Sequence, residues 1–414
     1  MTDVFDRRVF AGAVGLIAGL GLLAAATPIT ISPQVRLTLP GLSGRYRVGT
    51  VDLHLVDARP DPWEPSEQRE LMVTVTYPAR GGGELADWMS PRVASVFDQS
   101  VPDPAFLDMP AGVVDWSGTK RQAVVSAAVD RTQRWPVVLF SHGLGLMREL
   151  GSVLTDDLAS HGYIVVSLSH PHDSAAIEFP GGRVVTGSAE SSVEFLRRTM
   201  AARIADTRFV LDELTHLDRG DNPDAEKHPL PTGLAGALDL SAIGMFGHSL
   251  GGCTTAESMY YDRRIGAGIN FDGAMSPGKA GESVRHGLDR PLLLVGSDFV
   301  YPATGDTLEH SHMSTDIDPS WMEFWTNQRA WKRDLHFDGA AHNGFTDLQV
   351  VVPQLAQMLK RGAQQREIGR IDPEQSVIAQ RAYVAAFFDL HLKHGDSHLF
   401  DEGNPGYPNT RFIP

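Results

Sequence analysis

One serine lies in a sequence context that is typical of a catalytic nucleophile. Gly247-His248-Ser249-Leu250-Gly251 has the pattern G-x-S-x-G and stands between an apolar run and a helix-compatible run. In such a strand-turn-helix context the serine occupies a strained turn that exposes its hydroxyl, and the flanking glycines remove Cβ atoms that would clash. A hydroxyl presented in this way can attack the carbonyl carbon of an ester. The sequence therefore predicts Ser249 as a nucleophile.

The general base should follow the last predicted strand. His342 lies just beyond the run Leu335 to Phe337, in a turn with Gly339 and Gly344 on either side. A flexible turn at this point allows the imidazole to reach across to the serine. His342 is therefore the predicted base. The competing histidines are less suitable: 248 lies inside the elbow with its side chain directed elsewhere, and 170 and 172 follow the fourth strand as pocket or structural residues.

An orienting carboxylate and an oxyanion hole should complete such a site. Asp272 and Asp298 follow the sixth and seventh strands, and both keep the chain order serine, acid, histidine. The spacing does not choose between them. Two backbone N–H groups are predicted to stabilise the oxyanion, that of Leu250 and that of Leu144 in the glycine-rich segment Ser141 to Gly145. Each such donor typically contributes about 3 kcal/mol.

Eight β-type runs alternate with helical stretches and would position these residues. The runs are Tyr46 to Leu55, Leu71 to Tyr77, Val137 to Ser141, Ile164 to Leu168, Ile243 to Phe246, Ala267 to Phe271, Leu292 to Val295 and Leu335 to Phe337. Several are almost wholly apolar, as expected of strands that are buried on both faces. We therefore predict an α/β fold with a mostly parallel eight-stranded sheet flanked by helices.

Two segments between these runs stand out. Apolar residues recur at helical spacing from Val193 to Leu217, which predicts a long amphipathic helix packed on the sheet. Asp298 to Trp331 is an insertion that holds three tryptophans, 321, 325 and 331. The insertion is predicted to be lid-like, and its tryptophans to line an acyl pocket or, as is more common for Trp, to fill the core.

Composition excludes several classes of function. Of the 414 residues, 51 are acidic and 36 are basic, which gives a net charge of −15 that repels nucleic acids and anionic bilayers. The single cysteine, Cys253, cannot form an internal disulfide. No Cys/His cluster has zinc-site spacing, and we interpret His310 and His312 as exposed loop residues rather than metal ligands. No cofactor and no nucleic-acid partner are expected.

The N-terminus, residues 1–26, is predicted to be an export signal. Arg7 and Arg8 precede an uncharged run from Val9 to Ala26, which is marginal in length for crossing a bilayer and ends in alanines suited to cleavage. The paired arginines resemble a twin-arginine translocation signal. The alternative is an uncleaved anchor. Membrane contact is expected only through this segment or through a lipid substrate.

Five segments together resemble the plasma-type platelet-activating factor acetylhydrolase family, a branch of the α/β-hydrolases. They are Phe140 to Gly145, Asp157 to Val165, Gly247 to Gly252, Phe271 to Met275 and His342 to Phe345. The resemblance covers a catalytic domain of residues 45–395 and leaves 396–414 as an irregular tail. It implies the α/β-hydrolase fold, Asp272 rather than Asp298 as the acid, and Leu144 and Leu250 as oxyanion donors. It also implies independence from metals and a preference for short or oxidised acyl chains.

The sequence thus predicts a serine carboxylic-ester hydrolase that works through an acyl-enzyme, with short-acyl or phospholipid-like esters as substrates. Within the same class, a secreted lipase or polyester depolymerase is the alternative. An acyltransferase would use the same serine. A non-catalytic α/β-hydrolase that only binds a ligand is a further alternative, although all the triad positions are occupied here.

Overall fold

The computed structural model describes residues 34–188, 190–276, 281–300, 305–316, 318–401 and 406–414. The predicted export segment, residues 1–26, lies outside these ranges. The strands are β1 (Arg47–Pro60), β2 (Gln68–Arg80), β3 (Leu85–Asp87), β4 (Lys120–Val125), β5 (Ala128–Val129), β6 (Trp135–Ser141), β7 (Ile164–Leu168), β8 (Ala176–Phe179), β9 (Arg183–Thr186), β10 (Leu238–His248), β11 (Ile265–Phe271), β12 (Leu292–Gly296), β13 (Asp298–Val300), β14 (Thr307–Glu309), β15 (Lys332–Phe337) and β16 (Thr410–Phe412).

Helices connect most of these strands. They are α1 (Pro91–Ser100), α2 (Ser152–Ser160), α3 (Val193–Arg219), α4 (Leu250–Tyr261), α5 (Glu282–His286), α6 (Pro319–Asn327), α7 (Leu348–Gln354), α8 (Ala363–Ile368) and α9 (Pro373–Leu392). A short 3₁₀ turn, His342–Phe345, follows β15.

Within the described residues the central sheet has 12 strands, in the order β16-β15-β12-β11-β10-β6-β7-β2-β1-β4-β3, with β5 paired to β2. Strands β7, β6, β10, β11, β12 and β15 are parallel, whereas β2 is antiparallel to both β7 and β1. The eight predicted strands correspond to β1, β2, β6, β7, β10, β11, β12 and β15. In the sheet they form one uninterrupted block, from β15 to β1. The predicted mostly parallel sheet is therefore confirmed, and four short strands extend it.

Helices cover both faces of the sheet because the central strands are apolar on both sides. Along β6, Val137 and Leu139 enter one core cluster together with residues of α3 and α4. Their neighbours Val138 and Phe140 enter a second cluster together with residues of α2 and α9. Alternate side chains of one strand thus serve opposite layers, as expected of buried parallel strands.

The long helix α3 has the predicted apolar face. The Ser192 side chain accepts a hydrogen bond from the Phe195 N–H at 3.1 Å and begins the helix. Gly220, with φ of 105°, ends it in the left-handed region that favours glycine. Leu211 and Leu214 are buried against the sheet. The helix extends two residues beyond the predicted end at Leu217.

The C-terminal tail differs from its predicted irregular form. Thr410 to Phe412 form β16, which pairs antiparallel with the end of β15 at the edge of the sheet. Three residues are too few to give a periodic signal in the sequence. No helix within the described ranges has the length and apolar character needed to cross a membrane.

The carboxyl ends of the parallel strands lie along one edge of the sheet. Ser249 follows β10, Asp272 follows β11 and His342 follows β15, while Leu144 follows β6. Ligands of open parallel sheets bind at this edge. The topology therefore brings the candidate residues together from distant parts of the chain.

Candidate active site

A tight turn between β10 and α4 presents Ser249. Its backbone has φ of 55° and ψ of −123°, and its N–H donates to the Phe271 carbonyl at 2.7 Å. A Cβ atom on Gly251 would lie 1.9 Å from the Ser141 oxygen, and one on Gly247 would lie 2.3 Å from the Gly251 backbone. Only glycine fits at these two positions. The turn is therefore strained and held by its surroundings, which is the geometry of a nucleophile elbow.

His342 and Asp272 meet at the ends of β15 and β11. His342 Nδ1 donates to Asp272 Oδ2 at 2.6 Å. The carboxylate is buried, whereas the imidazole side chain remains 30 % exposed. Burial disfavours the charged form of Asp272, but the charges and hydrogen bonds of His310 and His342 outweigh it and hold its pKa well below the ordinary value. Asp272 is thus an ionised partner that orients the His342 ring.

The other candidate acid, Asp298, serves a different histidine. Its carboxylate accepts hydrogen bonds from His336 Nε2 at 2.9 Å and from the Gly339 N–H at 2.8 Å. Of the two carboxylates that the sequence left open, only Asp272 contacts His342 within the described chain. The contacts of Asp298 instead fix the start of the turn that leads to His342.

His248 links the serine turn to the histidine turn. Its Nε2 donates to the His342 carbonyl at 2.8 Å, and the two rings lie 4.7 Å apart. Burial, together with the nearby His342, lowers the pKa of His248 to about 3, so its ring is neutral. Sequence reasoning directed this side chain away from the site. The structure shows that it supports the backbone of the candidate base.

No hydrogen bond joins the Ser249 hydroxyl directly to His342 in the described part of the chain. His248 adjoins Ser249 and bonds the His342 backbone, so both residues belong to one cluster. Such catalytic hydrogen bonds are often long without substrate and shorten when substrate binds.

The two predicted oxyanion donors, Leu144 and Leu250, lie in segments that adjoin Ser249. A Cβ atom on Gly143 would lie 3.2 Å from Ser249 Cβ, so the turn after β6 packs directly against Ser249. Leu144 follows in that turn, Leu250 begins α4, and both side chains lie in one apolar cluster. Among the described hydrogen bonds, neither amide N–H has an acceptor. Buried amides normally have partners, so the lack of an acceptor here is compatible with the predicted role of these two N–H groups.

A buried charge pair beneath this turn was missed by sequence reasoning. Arg203 of α3 donates to Asp173 at 2.7 Å and to the His142 carbonyl at 2.6 Å. Asp173 in turn accepts the Gly145 N–H on its backbone oxygen at 3.0 Å. Arg203 lies on the same helical face as Met200 and other buried residues. An arginine within this apolar face was the signal in the sequence that could have indicated a buried charge pair. The pair fixes the backbone on both sides of Leu144.

Histidines 142 and 170 complete the network under the turn. His142 Nδ1 donates to the Gly143 carbonyl at 2.7 Å, and His170 Nδ1 donates to Asp206 at 3.0 Å while its Nε2 accepts from Ser141. Burial lowers the pKa of both rings. His170 was predicted to be a pocket or a structural residue, and its contacts give it the structural role. His172 stacks on Trp63 at 5.1 Å.

The interpretation of His310 and His312 as exposed loop residues is wrong. Both are buried, with relative exposures of 5 % and 2 %. His310 Nδ1 donates to Asp272 Oδ1 at 2.8 Å, and His312 Nδ1 donates to Asp334 at 2.7 Å. Aromatic rings of the insertion cover them, because Trp321 stacks on His310 and Trp325 stacks on His312.

The tryptophans of the insertion accordingly have packing roles. Trp321 is fully buried, and Trp331 packs edge-on against Phe400 and His391. Of the two predicted roles, lining an acyl pocket or filling the core, Trp321 has the second. Its ring stacks on His310, a hydrogen-bond partner of Asp272, and fills the core rather than the wall of an acyl pocket.

One group of possible metal ligands occurs among the described residues. Asp224, Glu226 and His228 offer ligand atoms within 4.8 Å of one another. Asp224 already accepts hydrogen bonds from the His54 and His228 N–H groups. These contacts show that Asp224 fixes the conformation of its loop and binds the loop to β1.

Comparison with known proteins gives consistent matches. The family model "Platelet-activating factor acetylhydrolase, isoform II" matches residues 115–406. A probable 1-alkyl-2-acetylglycerophosphocholine esterase of Arthroderma benhamiae is 29 % identical over 67 % of this chain and 66 % of its own length. A platelet-activating factor acetylhydrolase of Cavia porcellus is 26 % identical over 66 % and 60 %. The chain thus spans less than two thirds of each of these two proteins.

A solved structure matches nearly the whole chain. Ferulic acid esterase from Streptomyces cinnamoneus superposes with a TM-score of 0.71 at 30 % identity, covering 91 % of this chain and 99 % of that one. The match confirms the predicted α/β-hydrolase fold.

The contact between Asp272 and His342 gives a matched test of the two acids. We expect Asp272→Asn to lower kcat for p-nitrophenyl acetate by roughly 10³- to 10⁴-fold, because the imidazole loses its anionic partner. Asp298→Asn should change kcat less than about tenfold, since its carboxylate bonds His336 and Gly339. Circular dichroism should show that both variants are folded. A larger kcat loss in the Asp298 variant would assign the acid role to Asp298.

Proposed function

Because this chain belongs to the platelet-activating factor acetylhydrolase isoform II family, we propose that it is a serine carboxylic-ester hydrolase. Ser249 is the nucleophile, His342 the general base and Asp272 the acid that orients it. The observation that carries the proposal is the 2.6 Å hydrogen bond from His342 Nδ1 to Asp272, which leaves Nε2 available beside the strained serine turn. A hydrolytic triad requires such an imidazole, held by a buried carboxylate on one nitrogen and open on the other.

The reaction proceeds through an acyl-enzyme. His342 Nε2 takes the proton of the Ser249 hydroxyl as the oxygen attacks the ester carbonyl. The oxyanion that forms accepts hydrogen bonds from the Leu144 and Leu250 N–H groups, neither of which donates to another group among the described hydrogen bonds. The imidazolium, stabilised by ionised Asp272, then protonates the departing alkoxide. Water activated by the same histidine attacks the acyl-enzyme and releases the acid.

Rigidity of the oxyanion turn favours this assignment. Arg203 and Asp173 bind the turn from below, and both are almost completely buried. A donor that is fixed before the reaction stabilises developing charge without reorganising in the transition state. Removing one partner of so buried a pair typically costs about 3–5 kcal/mol, so the turn is held firmly.

We further propose short-acyl or phospholipid-like esters as substrates. The names of the curated relatives support this choice, since both refer to an acetyl ester of an ether phospholipid or its hydrolysis. The apolar cluster of Leu144, Leu250, Phe195 and Leu196, with Trp63 packed against it, adjoins the oxyanion donors and gives the acyl group an apolar border. Neither relative's name favours the lipase or polyester depolymerase alternative.

A second candidate substrate is an ester of ferulic acid. The solved ferulic acid esterase is the relative that this chain covers almost completely. The aromatic rings near the oxyanion cluster are suited to a planar acyl group, because Trp63 stacks on His172 and lies edge-on to Phe195 at 6.1 Å.

The serine assignment predicts a specific loss of chemistry. Ser249→Ala should abolish hydrolysis of p-nitrophenyl acetate and labelling by a fluorophosphonate probe, because both need the hydroxyl. The thermal unfolding midpoint should stay within a few degrees, since the side chain makes no described hydrogen bond. Ser241→Ala, at the exposed position near the start of β10, is the matched control and should keep full activity. Labelling of the Ser249→Ala protein would contradict the proposal.

The two substrate classes predict different rankings in a panel. We expect kcat/KM to fall as the acyl chain of p-nitrophenyl esters lengthens from acetyl to octanoyl, and to be high for an acetylated ether phospholipid. A methyl ferulate kcat/KM more than about tenfold above that of a matched alkyl ester would instead favour the aromatic class; tenfold corresponds to ~1.4 kcal/mol in the transition state. Initial rates under identical conditions decide between them.

Export by the twin-arginine route is also proposed, from Arg7, Arg8 and the apolar run that follows. N-terminal sequencing of protein recovered outside the cytoplasm should begin near residue 27. Arg7→Lys combined with Arg8→Lys should retain the protein inside the cell. Unchanged export of this variant would reject the twin-arginine route, and a mature chain that starts at residue 1 or 2 would favour an uncleaved anchor.

A further inference from the structure

The carboxylate of Asp272 has two histidine partners rather than one. His342 Nδ1 and the Ser297 hydroxyl donate to Oδ2 at 2.6 and 2.7 Å. His310 Nδ1 and the Ser297 N–H donate to Oδ1 at 2.8 and 3.0 Å. Both oxygens are therefore fully engaged. The ordinary triad requires only the His342 contact, so the contacts on Oδ1 need a separate explanation.

His310 is held in place on all sides. Its Nε2 faces Asp318 Oδ2 at 3.5 Å, and its ring stacks on Trp321 with centroids 4.0 Å apart. Asp318 caps α6 by accepting the Ser320 N–H at 2.8 Å. The ring thus lies between two carboxylates and an aromatic face, with 5 % relative exposure. An imidazole so enclosed cannot rotate away from Asp272 without breaking these contacts.

The insertion is also bonded directly to the chain segment that carries Asp272. Trp321 Nε1 donates to the Gly273 carbonyl at 2.8 Å, and the Ser320 hydroxyl accepts the Met275 N–H at 2.8 Å. Both acceptor and donor lie just beyond Asp272. Helix α6 is therefore bonded to the segment that carries the acid.

We propose that His310 is a positioning residue for the reaction, a buried imidazolium that clamps Asp272 between two histidines and fixes the insertion to the triad. This inference rests on the proposed function. His310 contacts no substrate; it acts through Asp272. Its positive charge offsets part of the charge of the Asp272 carboxylate, the group that holds the His342 ring by a hydrogen bond.

The electrostatics of the cluster agree with this role. In the described part of the chain the charged groups that face His310 are Asp272 at the end of β11 and Asp318 at the start of α6, with His342 beyond Asp272. Burial disfavours the charged ring, but the two carboxylates outweigh it and raise the pKa of His310 to about 10. Since the folded pKa exceeds the ordinary value near 6.5, the pair stabilises the fold fully below that value. The stabilisation is lost as the pH rises through about 10.

The test compares His310→Leu and His310→Asn with the matched control His312→Asn. His312 is equally buried and equally stacked on a tryptophan, but it bonds Asp334 rather than the triad acid. With p-nitrophenyl acetate, we expect His310→Leu to lower kcat by about 10- to 100-fold, by analogy with other groups that orient catalytic ligands, while KM changes little. The lower limb of its kcat/KM pH profile should move to higher pH, because the Asp272 carboxylate loses the positive charge of its second histidine partner.

His310→Asn should restore part of kcat, since its amide retains a donor toward Asp272, but it should keep the shifted lower limb. His312→Asn should retain the wild-type pH profile. A second measurement does not depend on activity: in urea unfolding from pH 7 to 11, the stability advantage of the wild type over His310→Leu should disappear as the pH rises through about 10.

A His310→Leu protein with wild-type kcat and pH profile would overturn the proposal, as would a pH-independent stability difference. Failure of the proposed function is recognised separately, by fluorophosphonate labelling that persists in Ser249→Ala.

Discussion

The close approach of β6 and β10 is the constraint on which the site depends. Ser249 can adopt a left-handed backbone only because Gly251 lets the first turn of α4 touch the Ser141 carbonyl. That contact places the turn after β6 against the serine, so one packing contact positions both the proposed nucleophile and the proposed oxyanion donors. A side chain at position 251 would separate the two strands and displace both Ser249 and the turn after β6. The positions of both therefore depend on this one glycine.

Buried charge is the second organising principle of the molecule. Asp272 beneath the histidine turn and Arg203 beneath the oxyanion turn are both enclosed, and each is compensated by several hydrogen bonds. Desolvation makes such groups costly when a partner is missing and rigid when all partners are present. Each turn is therefore held precisely, because it is hydrogen-bonded to a buried charged group that has no access to water.

Much of this could be predicted from local sequence. The apolar run Val137 to Phe140 identified a doubly buried strand, and the glycine pattern around Ser249 identified the elbow, because both signals lie within a few consecutive residues. His310 could not be identified in this way. Its burial comes from Trp321, which lies in a different element, and polar residues around position 310 resemble a surface loop. The choice of Asp272 over Asp298 likewise depended on family resemblance, since both follow parallel strands.

The short strand β16 has a consequence for the behaviour of the molecule in concentrated solution. β15 would otherwise end the sheet with unpaired amide and carbonyl groups, and an open edge of this kind invites strands from other molecules. The last residues of the chain occupy that edge at Leu335, His336 and Phe337. Strand β16 therefore limits the addition of strands from other molecules along β15, the strand that ends just before the turn with His342.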